Sequence, residues 1–272
     1  DIQSHYRTLI HPYTPCKIPH SSYQLIDQSV HRRFCAYPMS TGGTSGKTSY
    51  MWFGPKEAHL YISTFIESFK RNGYQCGDNM LIFYPKDSYV SNEYESMNAL
   101  LNMTNVHFQT FQSVNLSTVR KLLDNIQRKH VDFLVVFPFV FLQICLFIHR
   151  HNIRLLHQPR NINLSGEYLL ANTLRFCQSI FTESTIENTY GAVEFGEIAH
   201  QIPQNKNVLK VLSSTCYAEN DTDGRLIITS YLNRVMPLIR YKMEDLCTVT
   251  TRANGVQYIT NLVGKDTNRI VR

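Results

Sequence analysis

Residues 133 to 148 read FLVVFPFVFLQICLFI, and the reading of this stretch decides the class of the chain. It is apolar enough to invite a membrane assignment, yet it is only sixteen residues long, contains Pro138 and Gln143, and directly follows Asp132. A helix that crosses a bilayer needs about 20 apolar residues. A buried strand that ends at Pro138 and runs into a core helix accounts for the stretch better, because proline cannot donate to a strand ladder but fits the first turn of a helix. No membrane span is expected.

Working upstream, Leu60, Ile62, Phe65, Ile66 and Phe69 recur at helical spacing between Lys56 and Asn72, and Gly73 follows as a C-terminal cap. Met80 to Tyr84 (MLIFY) is a short apolar run stopped by Pro85, and Ser117 is placed to cap a helix through His130. Downstream, Ile162-Asn163-Leu164 reads as a strand, Gly166 to Cys177 as a helix, and Ile186 to Tyr190 as a short segment ending in Gly191. Such alternation predicts an α/β fold with a largely parallel sheet covered by helices. After about residue 205 the texture changes to short β-rich runs at Arg225 to Ser230, Leu238 to Tyr241, Asp245 to Thr250 and Val256 to Thr260, separated by Asp-Gly or Asn-Gly. A C-terminal antiparallel β subdomain follows from that pattern. The expected organisation is an α/β part over residues 1–205 and a β-rich part over 206–263, without internal repeats.

With 272 residues, 43% of them hydrophobic and 18% charged, the chain can bury a full core. Its formal charge of +6 suits an anionic ligand, but no basic run is longer than two residues, as at Arg32-Arg33 and Lys70-Arg71, so no nucleic-acid stripe is expected. Phosphate-rich small molecules satisfy the same balance. Seven cysteines (Cys16, Cys35, Cys76, Cys145, Cys177, Cys216 and Cys247) form no C-x-x-C pair, and the odd count favours a reducing, cytoplasmic setting. Sequons begin at Asn102, Asn115, Asn163 and Asn220, as chance provides in a chain rich in Asn, Ser and Thr. The chain starts at Asp1 without a signal peptide or a Met, and so reads as a part of something longer. His149 and His151, two apart on a helix, cannot share a face, so no structural metal is expected.

The chemistry concentrates at Ser40 to Ser49, STGGTSGKTS. Gly42, Gly43 and Gly46 let backbone N–H groups close on an anion, while Ser40, Thr41, Thr44, Ser45 and Thr48 donate hydroxyls and Lys47 adds a point charge. A Walker loop needs G-x-x-x-x-G-K-[ST], and the position five before Gly46 is Thr41, so that pattern fails by one residue. The preceding segment FCAYPM also contains Pro38, unlike a Walker strand. The alternative is a flexible Ser/Gly loop.

This loop resembles the [ST]-[ST]-G-[ST]-[ST]-G-K of the adenylate-forming superfamily of acyl-CoA synthetases and adenylation domains. The extra Gly at Gly42-Gly43 and Thr48 in place of the frequent Pro are similar to the branch of phenylacetate-CoA ligases and CapK-like proteins. Further motifs follow in the order of that family. Ser165-Gly166-Glu167 resembles its adenine-lining turn. Tyr190-Gly191-Ala192-Val193-Glu194 looks like its Y-G-x-x-E. Gly224-Arg225-Leu226 begins its G-[EQR]-L strand, and Pro237 to Leu246 (PLIRYKMEDL) looks like P-x-I-R-Y-x-x-x-D-L. Gly264 to Arg269 resembles its hinge, with Lys265 for the usual Arg and no second Asp. The resemblance covers roughly residues 34 to 272, and residues 1 to 33 match nothing.

What the resemblance implies is ATP-dependent activation of a carboxylic acid as an acyl-adenylate with release of pyrophosphate, then transfer to CoA, a carrier-protein thiol or an amine. Lys47, Glu194 and Arg240 would be catalytic, with Glu194 on Mg²⁺ near the phosphates, a hard cation suited to a carboxylate. Tyr190 would pack on adenine, Asp245 would hold the ribose, and Phe137 to Phe141 would line the acid's pocket. Residues 264–272 would form a hinge to a lid domain of the family that does not follow Arg272. The competing readings are a solvated loop acid for Glu194, a hairpin ion pair between Arg240 and Asp245, and a non-catalytic nucleotide-binding scaffold for the whole chain.

Overall fold

The computed structural model describes residues 37–40, 50–86, 105–167, 171–202 and 205–265. The chain divides into two compact units: an α/β unit, Ile66–Tyr190, and a β-rich unit formed by Asp1–Phe65 and Gly191–Arg272.

In the α/β unit the strands β3 (Met80–Pro85), β4 (Val106–Phe111), β5 (Phe133–Val136), β6 (Asn161–Ser165) and β7 (Thr185–Ala192, its last two residues in the β-rich unit) lie parallel in the order β4-β3-β5-β6-β7. All four residues of β5 are buried, as expected of a parallel strand covered on both faces. The helices are α1 (Pro55–Arg71, which begins in the β-rich unit), α2 (Leu116–Arg128), α3 (Pro138–Arg150) and α4 (Ala171–Ile180). Val119, Leu122 and Ile126 of α2 and Phe141, Ile144 and Cys145 of α3 are fully buried, spaced so that each helix turns one stripe to the core. Pro138 opens α3, as read from the sequence, and no described helix is long and apolar enough to cross a membrane. Below the sheet's first residues, Arg160 binds Asp78 at 2.7 Å and Asn72 donates to Asn163 at 2.6 Å, tying the chain after α1 to β6.

The β-rich unit holds an antiparallel set in the order β10-β11-β12-β13-β9-β8, built from β8 (Gly196–Ile202), β9 (Asn205–Val211), β10 (Cys216–Asn220), β11 (Arg225–Ser230), β12 (Tyr241–Thr251) and β13 (Gln257–Lys265). Gly224 and Gly255 take φ +78 in the two turns that Asp-Gly and Asn-Gly foretold. The Gln257 side chain accepts from Ala218 N–H at 3.1 Å and donates to Ala218 O at 2.7 Å, so the backbone of β10 gains a side-chain partner beyond its one strand neighbour. A separate antiparallel pair, β1 (Tyr37–Ser40) and β2 (Tyr50–Phe53), sets Ser40 opposite Tyr50. Asn233 donates to the buried Trp52 carbonyl at 2.8 Å.

Several boundaries differ from the sequence reading. Asn115, not Ser117, caps α2: its side chain accepts Thr118 N–H at 3.0 Å, and the helix ends at Arg128 rather than His130, which takes φ 46. The helix expected from Gly166 to Cys177 is α4, Ala171–Ile180, because Gly166 takes φ +91 in a bend after β6. Leu238 to Arg240 is not strand, since Arg240 takes φ 51 just before β12 begins. Strands β8, β9 and β10 had no counterpart in the sequence reading.

Three sequon asparagines are used inside the fold. Asn163 is buried, Asn115 caps α2, and Asn220 donates to the carbonyls of Gly224 and Cys247 while accepting Val249 N–H. Asn102 lies outside the described residues. Cys145, Cys177, Cys216 and Cys247 are buried and unpaired in disulfides, and burial pushes the Cys216 and Cys247 thiols up to about 11. Cys76 is exposed.

The cap assignment is directly testable. Asn115→Ala removes the acceptor for Thr118 N–H and should lower stability by about 1 kcal/mol, whereas Ser117→Ala should leave it nearly unchanged. Chemical denaturation of both variants checks this, and the reverse order would restore Ser117 as the cap.

Candidate functional site

Parallel strands all end on one side, and in open α/β sheets ligands bind outside those carboxyl ends. In the α/β unit that edge carries Phe137 after β5, Ser165 at the end of β6, and Thr189-Tyr190 late in β7. Ser165 pairs in register with Thr189, whose hydroxyl donates to Leu164 O at 3.3 Å. Tyr190 is half-buried. Gly166, at φ +91, has the Phe137 ring 2.7 Å from where a Cβ would stand, so both its conformation and its neighbour require glycine.

Glu167 does something the sequence did not disclose. Helix α3 begins with Phe137 at the N-cap, where no side chain accepts a hydrogen bond, and Pro138 in the first turn. The Glu167 carboxylate supplies that acceptor from across the edge, taking the Phe139 N–H at 2.8 Å. A negative group there also meets the positive end of the helix dipole. The turn at the end of β6 and the start of α3 are thereby fastened together. Of the apolar residues expected to line an acid pocket, Phe141 is wholly buried in the core, while Phe139 is 59% exposed and Phe137 is partly buried.

In the β-rich unit, Gly191 and Ala192 end β7 and lead into a turn closed by Phe195 N–H on Ala192 O at 3.0 Å. Glu194 stands half-buried in this turn. A Cβ on Gly191 would lie 2.4 Å from the Gly196 carbonyl oxygen and 3.2 Å from Glu197 Cα, so the backbone approach leaves room for hydrogen alone. Gly196, at φ +68, packs on Tyr61 and Thr64. Next to it, Glu197 is almost fully buried, with Oε1 4.0 Å from His200 Nδ1. This acidic pair member was not singled out in the sequence, where nothing distinguishes a buried Glu from a solvated one.

Asp245, half-buried in β12, is the register partner of Lys265 in β13, so two positions assigned to the nucleotide on separate motifs are cross-strand neighbours. Arg240 does not pair with Asp245 in the way considered from the sequence: its Nη1 binds Glu219 Oε1 at 2.7 Å and its backbone N–H donates to Thr229 Oγ1 at 3.0 Å. Ser40 ends β1, and Tyr50 begins β2 directly opposite. The residues between, Thr41, Gly42, Gly43, Thr44, Ser45, Gly46, Lys47, Thr48 and Ser49, lie outside the described residues. No cluster of three His, Cys, Asp or Glu side chains fit to hold a metal occurs among the described residues.

No family model matches the sequence, and no curated protein matches it. Solved structures do match the fold. A 2-hydroxyisobutyryl-CoA ligase, captured in complex with 2-HIB-AMP and CoA, aligns with a TM-score of 0.66 at 10% identity over 92% of this chain and 59% of its own. The fold is that of the large domain of adenylate-forming enzymes. A luciferase-like enzyme of the mealworm Zophobas morio aligns with a TM-score of 0.56 at 13% identity, over 84% of this chain and 57% of its own. An acyl-CoA synthetase (AMP-forming)/AMP-acid ligase II-like protein from Dyadobacter fermentans aligns with a TM-score of 0.53 at 12% identity, over 90% and 63%. The chain thus spans about three fifths of the length of these adenylate-forming-fold relatives.

Three substitutions at two positions probe the local geometry. Gly191→Ala forces a methyl against a carbonyl that cannot move without its strand, and should cost about 1–3 kcal/mol of stability. Glu167→Ala should cost roughly 1 kcal/mol by uncapping α3, with Glu167→Gln recovering most of it as an acceptor of similar reach. Thermal unfolding of the three variants measures both effects; a fully stable Gly191→Ala protein would refute the close approach.

Proposed function

We propose that the chain binds ATP and activates a carboxylic acid as its acyl-adenylate, releasing pyrophosphate, with CoA or a carrier-protein thiol as the acceptor that follows. The observation that carries this reading is the coincidence of an adenylate-forming fold with motifs in the family's order, chief among them Tyr190-Gly191-Ala192-Val193-Glu194 at a turn where Gly191 is sterically obligatory. Resemblance to the phenylacetate-CoA ligase branch and a cytoplasmic location belong to the same proposal.

A carboxylate is already ionised near pH 7 and needs no general base. The protein's task is to align it with the α-phosphate and to offset the negative charge that spreads as the bond to pyrophosphate breaks. In this reading Lys47 and the N–H groups of residues 40–48 hold the phosphates, with Ser40 and Tyr50 fixing the two ends of that stretch side by side. Tyr190 packs on adenine beside the Ser165–Glu167 turn, and Asp245, backed by Lys265, accepts from the ribose hydroxyls. Arg240, drawn toward Glu219, adds positive charge. The half-buried Glu194 carboxylate is a hard oxygen donor of the kind Mg²⁺ selects, and that ion when bound would neutralise phosphate charge. The exposed Phe139 offers an apolar contact for the acid.

Acid-dependent exchange of labelled pyrophosphate into ATP, run with a panel of carboxylic acids, tests the proposal. Exchange is the expected result. A nucleotide-binding scaffold, a reading favoured by the missing second Asp of the hinge, gives none. Asp245→Ala should weaken ATP binding about 10- to 100-fold by calorimetry, from the loss of charge-assisted hydrogen bonds worth about 1.5–3 kcal/mol each. Glu194→Gln should stay folded and lose exchange rate far more than ATP affinity, as a group acting mainly on transition-state charge does. Wild-type exchange at ordinary Mg²⁺ would remove Glu194 from the metal.

A further inference from the structure

Helices α2 and α3 run back against the parallel strands, so the segments that follow them reach the end of the α/β unit where the strands begin, opposite the edge that carries Phe137, Ser165 and Gly166. A groove of about 160 Å³ opens there between α2 and residues 153–157, the approach to β6. From α2 it takes one face, Arg120, Leu123, Asp124 and Gln127, at spacings of three, four and seven residues. From the segment before β6 it takes Arg154, Leu155 and Leu156.

The charges in this groove are unbalanced. The side chains of Arg120 and Arg154 make no hydrogen bond or ion pair with another described residue. The acid in the lining, Asp124, is already engaged by Arg128 at 2.8 Å, and Arg128 is not in the lining. Two guanidinium groups from segments far apart in sequence therefore converge on one concavity with no protein carboxylate left to neutralise them. Beside Gln127 and His157 the lining carries apolar side chains: Leu123 and Leu155 are partly buried, and Leu156 is 65% exposed, the most exposed large hydrophobic residue described. Guanidinium presents a fork of donors that fits a carboxylate or phosphate, and a leucine wall is covered best by hydrocarbon. The volume is below the roughly 300–1,000 Å³ of sites for drug-sized ligands, which limits the ligand to a small molecule.

We propose that this groove is a binding site for a small organic oxyanion, a carboxylate or phosphate on a short apolar body, gripped by Arg120 and Arg154 and covered by Leu123, Leu155 and Leu156. It is distinct from the nucleotide and acid site and does not depend on that assignment. A ligand here would bridge α2 and the segment that leads into β6, at the end of the α/β unit opposite Phe137, Ser165 and Gly166.

The test is a methyl-resolved NMR titration of the chain, labelled at Leu and Ile, with butyrate and with phenyl phosphate as separate probes and with butanol and inorganic phosphate as comparisons. Saturable shifts of the Leu123, Ile153, Leu155 and Leu156 methyls are expected with butyrate or phenyl phosphate, and which of the two binds more tightly identifies the head group. Binding should weaken with added salt, and Arg120→Gln and Arg154→Gln should each raise the Kd about 10-fold or more. Unchanged methyl spectra elsewhere establish that these exposed substitutions leave the fold intact. The proposal is overturned if neither anion gives saturable shifts, if butanol gives the same shifts as butyrate, or if the arginine variants bind as tightly as the unsubstituted chain.

Discussion

Strand β5 is buried along its whole length, so every backbone N–H and C=O of Phe133 to Val136 must be paired within the protein. That one requirement organises the α/β unit. Its neighbours β3 and β6 have to run alongside in register, Met80 opposite Phe133 and Leu134 opposite Ile162, and each face has to be sealed by an apolar stripe from a helix. Because parallel strands are joined only by crossovers, the helices return on the faces and the strand ends gather on one edge. The position of the candidate site is thus a consequence of desolvated backbone and not a separate feature.

At that edge the chain has little freedom. Val136 is still strand, Phe137 is the cap of α3 and Pro138 is already helical, so the strand-to-helix change occupies a single residue. A helix started so abruptly has N–H groups that no neighbouring residue in sequence satisfies, and the Glu167 carboxylate meets one of them. The bend that delivers Glu167 passes the Phe137 ring at a distance only glycine tolerates. A residue that family resemblance places beside adenine therefore also braces the helix whose first turn exposes Phe139. The turn after β6 and the first turn of α3 are thus held as one structural element, so displacement of either moves the other.

The sequence showed what depends on local pattern. The run FLVV before Pro138, the stripe ending at Gly73 and the Asp-Gly and Asn-Gly turns were legible because burial on two faces, helical spacing and left-handed turns each leave a periodic or residue-specific mark. Strands β8 to β10 left none, since charged and polar side chains interrupt GEIAHQI, NKNVLKV and CYAEN, and the apolar residues that are buried are too few to show alternation. Two capping residues lay within one turn of each other, and only the backbone of Asn115, at φ −137 and ψ 174, decides between it and Ser117. The partners that matter for the site are distant in sequence: Glu167 is 28 residues from Phe139, and Arg240 is 21 from Glu219. No window on a single sequence registers such pairs.

The motifs differ in how much independent physical support each has. Gly191 is the strongest, because a carbonyl 2.4 Å from its absent Cβ explains the residue without reference to any family. Asp245 and Lys265 come next: sequence order separates them by twenty positions, yet the β12–β13 register sets them opposite each other. Arg240 is weaker, for its guanidinium already has a carboxylate partner in Glu219, and an arginine so engaged contributes charge to a ligand only to the extent that it is not already neutralised. The same reasoning separates Arg240 from Arg120 and Arg154. Those two have no such partner, and a converging pair of unneutralised guanidinium groups is the more demanding of an anion.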